Sequence, residues 1–304
     1  MNRVFFIVGP TATGKSEIAA EIVSADAFQI YRGLDLLTAK PEKTTLAKAR
    51  HHLLSTVPLG EEMNVEKFRA AAAEVIEDIQ ARGKPAIVVG GSGLYVKGLT
   101  HGLARLPIAN SALRAELDQA TLEELHARLC ILDPEGAERI DRKNKRRLVR
   151  AVEVCLLTGR PFSAQRREWN AASPVVTTAA APPIANGVFV FRDRAELYER
   201  IDRRVEKMFA DGVVEEVRAL RDFGSTAEKA LGLREIQALL AGKLSEPESI
   251  AKIQQATRRY AKRQLTWFQR QSNFEPLNLS LHGSSKATEL IAQRARFAFA
   301  QMDD

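Results

Sequence analysis

The chain has 304 residues, of which 45% are hydrophobic and 27% charged, as in a soluble globular protein with one large domain or two ordinary ones. No apolar run reaches the roughly 18 residues that span a bilayer, and the apolar N-terminal stretch is too short for a signal peptide. Two cysteines, Cys130 and Cys155, are too few for a disulfide framework or a zinc site, so we expect a cytoplasmic protein.

The charge balance is basic and uneven. Forty-five Lys and Arg against 38 Asp and Glu give a net charge of +7. Many of the cations fall in two clusters, at 139–150 and 258–270. Clustered cations attract polyanions such as nucleic acid. Composition alone leaves open the alternative that these are two solvated helix faces.

The first hundred residues alternate buried strands with an amphipathic helix. Arg3 to Val8 and Lys84 to Gly91 are predicted strands that end in glycine, and Ile22 to Asp26 is a shorter strand that ends in an acid. Val65 to Arg82 repeats apolar residues at helical spacing. This alternation predicts an α/β fold with a parallel sheet flanked by helices.

The middle of the chain is predicted to be wholly helical. Ser111 is the expected N-cap of one helix, Thr121 to Glu124 has the form of a capping box, and Arg146 to Thr158 is a helix closed by Gly159. A proline-rich stretch follows, and a strand resumes at Gly187. We therefore expect a core from 1–108 and 187–304, an all-helical insertion at 109–170 and a flexible connection at 171–186.

A phosphate-binding loop follows the first predicted strand. It matches the pattern G-x-x-x-x-G-K-[ST] through Gly9, Pro10, Thr11, Ala12, Thr13, Gly14, Lys15 and Ser16. The glycines let main-chain N–H groups curl round a phosphate at the start of a helix. Lys15 adds a point charge, and the Ser16 hydroxyl can ligate Mg²⁺.

A P-loop by itself fits a kinase, an NTPase or a transferase. Sustained nucleotide hydrolysis is not expected, because the strand Ala86 to Val89 ends in Gly90-Gly91 and not in a metal-binding Asp. No Asn-Lys-x-Asp guanine-reading motif is present either, since Asn144-Lys145 is followed by two arginines.

Further motifs occur in a fixed order after the P-loop. They are Ser24-Ala-Asp-x-x-Gln-x-Tyr-Arg-Gly-Leu-Asp35, Thr38-Ala-Lys-Pro41, His51-His-Leu53, Val89-Gly-Gly-Ser-Gly-Leu-Tyr95 and Arg259-Tyr-Ala-Lys-Arg-Gln-Leu-Thr-Trp-Phe268. This series closely resembles the tRNA isopentenyltransferase family, over nearly the whole chain. The resemblance implies transfer of a dimethylallyl group from dimethylallyl diphosphate to N6 of adenosine 37, beside the tRNA anticodon.

The resemblance assigns catalytic and donor-binding roles. The P-loop would hold the donor's diphosphate, with Lys15 and Mg²⁺ on Ser16 neutralising the leaving group. Arg204 matches a family arginine suited to the same task. Asp26 matches the general base that takes the proton from N6.

The resemblance also implies contacts with the tRNA anticodon stem-loop, whose target base must leave its stack. In the core these are Asp26, Ala27, Phe28, Gln29, Ser92, Lys229, Gly232, Arg234, Lys262, Arg263 and Gln264. In the helical insertion they are Arg114, Arg146, Arg147 and Arg150. Trp267 and Phe268 are expected in the core. We expect a monomer without a membrane association.

One departure concerns the chain just after the P-loop. About six residues separate Ser16 from the second predicted strand, where P-loop folds place a helix of three or more turns. Six helical residues rise only about 9 Å. Either residues are missing here or the deletion is real, and a real deletion would distort the donor site.

Three other functions are open at this point. An adenylate isopentenyltransferase would prenylate a free nucleotide, and a P-loop small-metabolite kinase would use ATP. An RNA-binding module would need no catalysis, so Asp26 would be dispensable. The basic clusters favour tRNA over the first two.

Overall fold

A computed structural model of the chain describes residues 4–11, 21–103, 106–169 (main chain alone for 166–169) and 187–300. Six parallel strands form its central sheet. The strands are β1 (Val4–Val8), β2 (Glu21–Ser24), β3 (His51–His52), β4 (Ala86–Gly90), β5 (Gly187–Phe191) and β6 (Glu275–Asn278), in the order β3-β2-β4-β1-β5-β6. The predicted parallel α/β sheet is therefore confirmed.

Helices cover both faces of the sheet. Alternate residues of β1 point into different cores, because strand side chains alternate between faces. Phe6 joins a large cluster that includes Phe68 and Phe268, and Ile7 joins a second cluster with Ile291. A strand buried on both faces needs a continuous apolar run, as β1 has.

The helices of this core unit, within the described residues, are α1 (Lys43–Leu46), α2 (Val65–Ala81), α3 (Gly93–His101), α9 (Arg194–Ala210), α10 (Val213–Ala219), α11 (Leu233–Leu240), α12 (Glu246–Phe268) and α13 (Ser284–Ala300). The longest, α12, begins with a capping box between Ser245 and Glu248. Its buried face carries Thr257, Ala261, Gln264 and Phe268, and this face supplies side chains to the site described below.

A separate helical unit spans His101–Pro174, whereas the sequence prediction placed an insertion at 109–170. Its helices are α4 (Ser111–Leu117), α5 (Leu122–Leu132), α6 (Pro134–Arg139), α7 (Lys145–Thr158) and α8 (Phe162–Trp169). Leu117, Leu125, Leu129, Leu148 and Val152 pack together in its core.

The helix ends of this unit follow local capping chemistry. The capping box of Thr121 and Glu124 is confirmed, and Gly159 closes α7 in a left-handed conformation (φ 65°). The predicted N-cap Ser111 is wrong by one residue. Asn110 is the N-cap of α4, because its side chain accepts the N–H of Leu113.

Two predictions lie outside the described residues, namely the short segment after Ser16 and the flexible connection 171–186. Along the described part of the chain, no helix has both the length and the hydropathy needed to cross a bilayer.

Candidate active site

Glycines at the carboxyl ends of the central strands allow loops to approach one another closely. Gly9 has φ 157°, and a Cβ there would lie 2.1 Å from the carbonyl oxygen of Val190. A Cβ on Gly90 would lie 2.2 Å from the carbonyl oxygen of Ala25. Both distances are far below van der Waals contact, so only glycine fits. This edge of a parallel sheet is the usual place for a ligand site.

Asp26 lies two residues beyond β2, in a turn that it stabilises itself. Its Oδ1 accepts the main-chain N–H groups of Phe28 (2.9 Å) and Gln29 (3.2 Å). The next residue is held as well, since Ala27 donates its N–H to Ser92 Oγ at 2.9 Å. The carboxylate is thereby fixed at the sheet edge by local hydrogen bonds. Ser92, a predicted RNA contact, organises this turn.

The loop after Tyr31 is held by Gln29 and by a glutamate from α10. Gln29 Nε2 donates to the carbonyl oxygens of Thr38 (3.2 Å) and Ala39 (3.1 Å). The Glu216 carboxylate accepts three successive main-chain N–H groups, those of residues 35–37, at 2.9, 2.7 and 3.0 Å. Successive N–H groups that converge in this way form an anion-binding nest. Glu216 occupies the nest and anchors the loop to α10.

Arg204 of α9 connects that loop to the start of the P-loop. Its Nη1 donates to Thr11 Oγ1 at 2.6 Å, and its Nη2 donates to the Thr38 carbonyl oxygen at 3.3 Å. Burial lowers the pKa of Arg204, and the negative charge of Asp26 acts in the opposite direction. An arginine stays protonated in proteins, so a fixed cation faces the same space as Asp26.

Gln264 of α12 contacts two loops at the sheet edge. The sequence placed it among the tRNA contacts, yet its side chain is buried and both ends of its amide are bound to main chain. Its Oε1 accepts the Thr11 N–H at 3.1 Å, and its Nε2 donates to the Gly91 carbonyl oxygen at 2.9 Å. Gln264 therefore joins the start of the P-loop to the loop at Gly91. Its contact with tRNA stays a prediction.

A cavity of about 70 Å³ joins these groups. Its polar lining comes from Thr11, Asp26, Thr38, Arg204, Thr257 and Tyr260, and its apolar lining from Phe28, Leu37, Val205, Met208, Leu231 and Ile253. One water molecule needs about 10–15 Å³ on the same volume scale, so the cavity has room for several. Its lining therefore combines charged and polar groups with apolar side chains that a small ligand could contact.

Tyr260 is a site residue that the sequence analysis did not single out. It lines the cavity one helical turn before Gln264. Burial raises its pKa, and the negative charge of Asp26 raises it further, while the side chains of Ser92 and Gln264 lower it in part. Its hydroxyl is thus neutral at physiological pH. The sequence signal that could have found it is its position four residues before Gln264, which puts both side chains on the same face of a helix.

The other predicted core contacts are spread over two helices. Lys262 and Arg263 are exposed on α12, and the Arg263 guanidinium lies 5.6 Å from the Tyr260 ring centroid. Lys229 is exposed four residues before α11, and Arg234 is exposed in its first turn. Gly232 is buried with φ 94°, and a Cβ there would lie 3.2 Å from Leu37. Its role is to let α11 begin against the cavity wall.

The helical unit has its own arginines. Arg146 and Arg147 are exposed in the first turn of α7, which contains no acid. The N-terminal end of a helix dipole is positive, so these two cations are repelled by it. An anionic partner bound there would offset this repulsion. Arg114 and Arg150 are different, because both are paired with the buried Glu153.

The predicted donor site begins within the described residues and continues beyond them. Gly9, Pro10 and Thr11 lie at the sheet edge, but Ala12, Thr13, Gly14, Lys15 and Ser16 are outside the described residues. Trp267 and Phe268 pack in the core as predicted, Phe268 fully and Trp267 in part. Nothing in the sequence pattern marked Glu216 or Glu153, since isolated glutamates on helices are most often solvated.

Comparison with known proteins places the whole chain. The IPP transferase family model matches residues 29–271. tRNA dimethylallyltransferase 1 of Citrifermentans bemidjiense is 44% identical over 283 residues, covering 89% of this chain and 90% of its own. The tRNA dimethylallyltransferase of Akkermansia muciniphila is 41% identical over 290 residues, covering 93% and 95%.

Solved structures agree. The full-length tRNA isopentenylpyrophosphate transferase from Bacillus halodurans matches with a TM-score of 0.68 at 30% identity, covering 100% of both chains. A eukaryotic dimethylallyltransferase acting on tRNA has a TM-score of 0.76 at 22% identity, a likeness of fold alone. With the match to the family extending from Gln29 to Gln271, the chain belongs to the IPP transferase family.

Proposed function

We propose that this protein transfers the dimethylallyl group of dimethylallyl diphosphate to N6 of adenosine 37 in tRNA. The observation that carries the proposal is that a carboxylate, Asp26, a fixed guanidinium, Arg204, and several apolar side chains line the same cavity. The relatives at 41–44% identity are named as tRNA dimethylallyltransferases, which supports the same reaction.

The donor would lie with its diphosphate against Arg204 and its five-carbon chain against the apolar side chains of the lining. An allylic C–O bond ionises readily when the charge that develops on the departing oxygens is stabilised. Arg204, already oriented by Thr11 and Thr38, supplies that stabilisation without reorganisation. The side chains of Met208, Leu231 and Ile253 would exclude water from the cationic carbon.

Asp26 would act as the general base. Both main-chain hydrogen bonds reach its Oδ1, so Oδ2 accepts no hydrogen bond from the described residues. In the transfer, the bond from N6 to the terminal allylic carbon forms and the C–O bond to diphosphate breaks. The N6 proton goes to Asp26, and the electron pair of the broken bond leaves with the diphosphate.

Mg²⁺ is the proposed cofactor. Among the described residues no group of three or more His, Cys, Asp or Glu could hold a metal alone. The ion would be bound largely through phosphate oxygens of the donor, which is the common mode for Mg²⁺. Ser16 would provide the protein ligand, and the ion would add positive charge to the leaving diphosphate.

Cations in both units would bind the tRNA. In the core these are Lys229, Arg234, Lys262 and Arg263, and in the helical unit they are Arg146 and Arg147, all exposed. Such contacts give sequence-independent affinity that weakens with salt. We further propose that the protein acts as a cytoplasmic monomer on the anticodon stem-loop.

Three alternatives make different products. An adenylate isopentenyltransferase would label AMP, a small-metabolite kinase would consume ATP, and a non-catalytic RNA-binding module would transfer nothing. Incubation with radiolabelled dimethylallyl diphosphate, Mg²⁺ and either unmodified tRNA or AMP separates them. The proposal predicts label in tRNA, and label in AMP alone would overturn it.

A further inference from the structure

Glu153 is a fully buried carboxylate on α7 that collects hydrogen bonds from three parts of the helical unit. Arg114 reaches it with Nε, at 3.0 and 3.1 Å from the two oxygens, and with Nη2 at 3.0 Å. Arg150 donates from Nη1 at 2.6 Å, and the main-chain N–H of Asn110 donates at 2.8 Å. The side chain of Glu153 is 0% exposed.

The cluster carries more positive charge than its fold requires. One guanidinium is enough to neutralise one buried carboxylate, yet two are bound, and the net charge of the group is +1. Burial raises the pKa of Glu153, but its hydrogen bonds from Arg114, Arg150 and Asn110 outweigh this and lower it. Within the described residues, neither arginine has a second acidic partner within salt-bridge distance.

Both arginines remain accessible while they are held. The side chain of Arg114 is 40% exposed, and it binds Glu153 through its Nε and Nη2, which leaves Nη1 for another acceptor. The side chain of Arg150 is 27% exposed, and its Nη2 is fixed by the Pro107 carbonyl oxygen at 2.8 Å. A free arginine must lose rotamer freedom when it binds a phosphate, and these two have already lost it.

We propose that Glu153 is a positioning residue that presents Arg114 and Arg150 as a preorganised pair to tRNA phosphate oxygens. The inference rests on the proposed function, since it takes tRNA as the substrate. Glu153 itself touches no substrate. Its effect on RNA binding is exerted through the two arginines.

Charge counting and positioning predict opposite results when Glu153 is neutralised. Glu153→Gln removes one negative charge from a basic unit, so electrostatic attraction alone predicts tRNA binding that is unchanged or tighter. Positioning predicts weaker binding, because both guanidiniums lose their shared anchor. We expect the dissociation constant for tRNA to rise about 5- to 150-fold, from the cost of ordering two arginine side chains.

The matched control is Glu116→Gln. It makes the same charge change in the same unit, two residues from Arg114, at a side chain that is 70% exposed. Filter binding or fluorescence anisotropy with unmodified tRNA, over a range of salt concentrations, compares the three proteins. Glu116→Gln should bind tRNA like the wild type or slightly tighter. Glu153→Gln with wild-type or tighter binding would overturn the proposal.

A second variant separates positioning from simple stabilisation of the fold. Arg114→Lys keeps a cation beside Glu153, so denaturant unfolding should change little. A lysine cannot bind the carboxylate through two donors and also offer a third in a fixed direction. We expect a several-fold rise in the dissociation constant for tRNA with the KM for the donor unchanged. Wild-type tRNA affinity in Arg114→Lys, or an equal rise of both constants, would contradict the inference.

The two levels of proposal fail in different ways. If the wild-type protein neither binds nor labels tRNA, the proposed function fails and this inference fails with it. If the wild type labels tRNA and Glu153→Gln binds tRNA with wild-type affinity, only the positioning role is refuted.

Discussion

Replacing Gln264 with methionine tests whether this residue organises the donor site or contacts RNA. The substitution nearly keeps the length and volume of the side chain but removes both of its main-chain hydrogen bonds, to Thr11 N–H and to the Gly91 carbonyl oxygen. The Gly91 bond is buried, so leaving its acceptor unpaired should lower the free energy of unfolding by about 1–3 kcal/mol.

The loss at Thr11 should appear in donor binding. Its N–H borders the cavity and can be rehydrated, so the cost is that of one ordinary hydrogen bond, about 0.5–1.5 kcal/mol. Because Thr11 also orients Arg204, this converts to a rise of about 2- to 12-fold in the KM for dimethylallyl diphosphate. The KM for tRNA should stay within about twofold of the wild type.

Steady-state transfer of radiolabel, with each substrate varied at saturation of the other, measures both constants. Gln255→Met is the control, since it makes the same change at an exposed position of the same helix. A Gln264→Met variant with raised KM for tRNA and unchanged KM for the donor would refute the positioning role and restore the RNA contact.

Three other predictions concern the base, the basic helix end and a buried ion cluster. Asp26→Asn should lower the rate constant of transfer, measured in single-turnover assays, about 100- to 10,000-fold with little change in tRNA affinity, and an unchanged rate constant would rule Asp26 out as the base. Arg146→Ala combined with Arg147→Ala should weaken tRNA binding and reduce the salt slope by about 1–2, with donor KM unchanged; equal loss of both affinities would contradict this. The pKa of Glu21 is lowered chiefly by its hydrogen bond from Arg82 and also by Lys84 and His52, against the effect of burial. Because the folded-state pKa is lowered, the ionised carboxylate stabilises the fold fully above the unfolded-state pKa of about 4.3, and this stabilisation is lost as the pH falls below that value. In denaturant titrations between pH 7 and 3, Glu21→Gln should therefore lose less free energy of unfolding than the wild type. Parallel curves for the two proteins would refute the stabilising role of Glu21.

Much of the core was predictable because strand and helix periods are local. The runs at β1, β4 and β5 are apolar enough to be read as buried strands, and α2 was predicted to within one residue at its C-terminus. β6 was not found, because Glu275 to Asn278 has only one buried residue and takes its strand form from pairing with β5. Pairing between distant segments leaves no local signal.

The site was predictable in type more than in detail. Asp26, Thr11 and Arg204, each named from the resemblance, line one cavity. The resemblance assigned Gln264 to tRNA, and it could not show the two main-chain hydrogen bonds that bury this side chain, because their partners at Thr11 and Gly91 lie more than 170 positions away. Glu216 accepts a hydrogen bond from Leu37, and Glu153 accepts one from Arg114. Each pair is more than 35 positions apart in the sequence, so only folding brings the partners together.

The most direct test of the account is the product of the wild-type protein given radiolabelled dimethylallyl diphosphate, Mg²⁺ and unmodified tRNA, with AMP in a parallel reaction. We predict label in tRNA, confined after nuclease digestion to the nucleoside at position 37. Label in AMP and not in tRNA, or no transfer to either, would contradict the assignment of the cavity that Asp26 and Arg204 share.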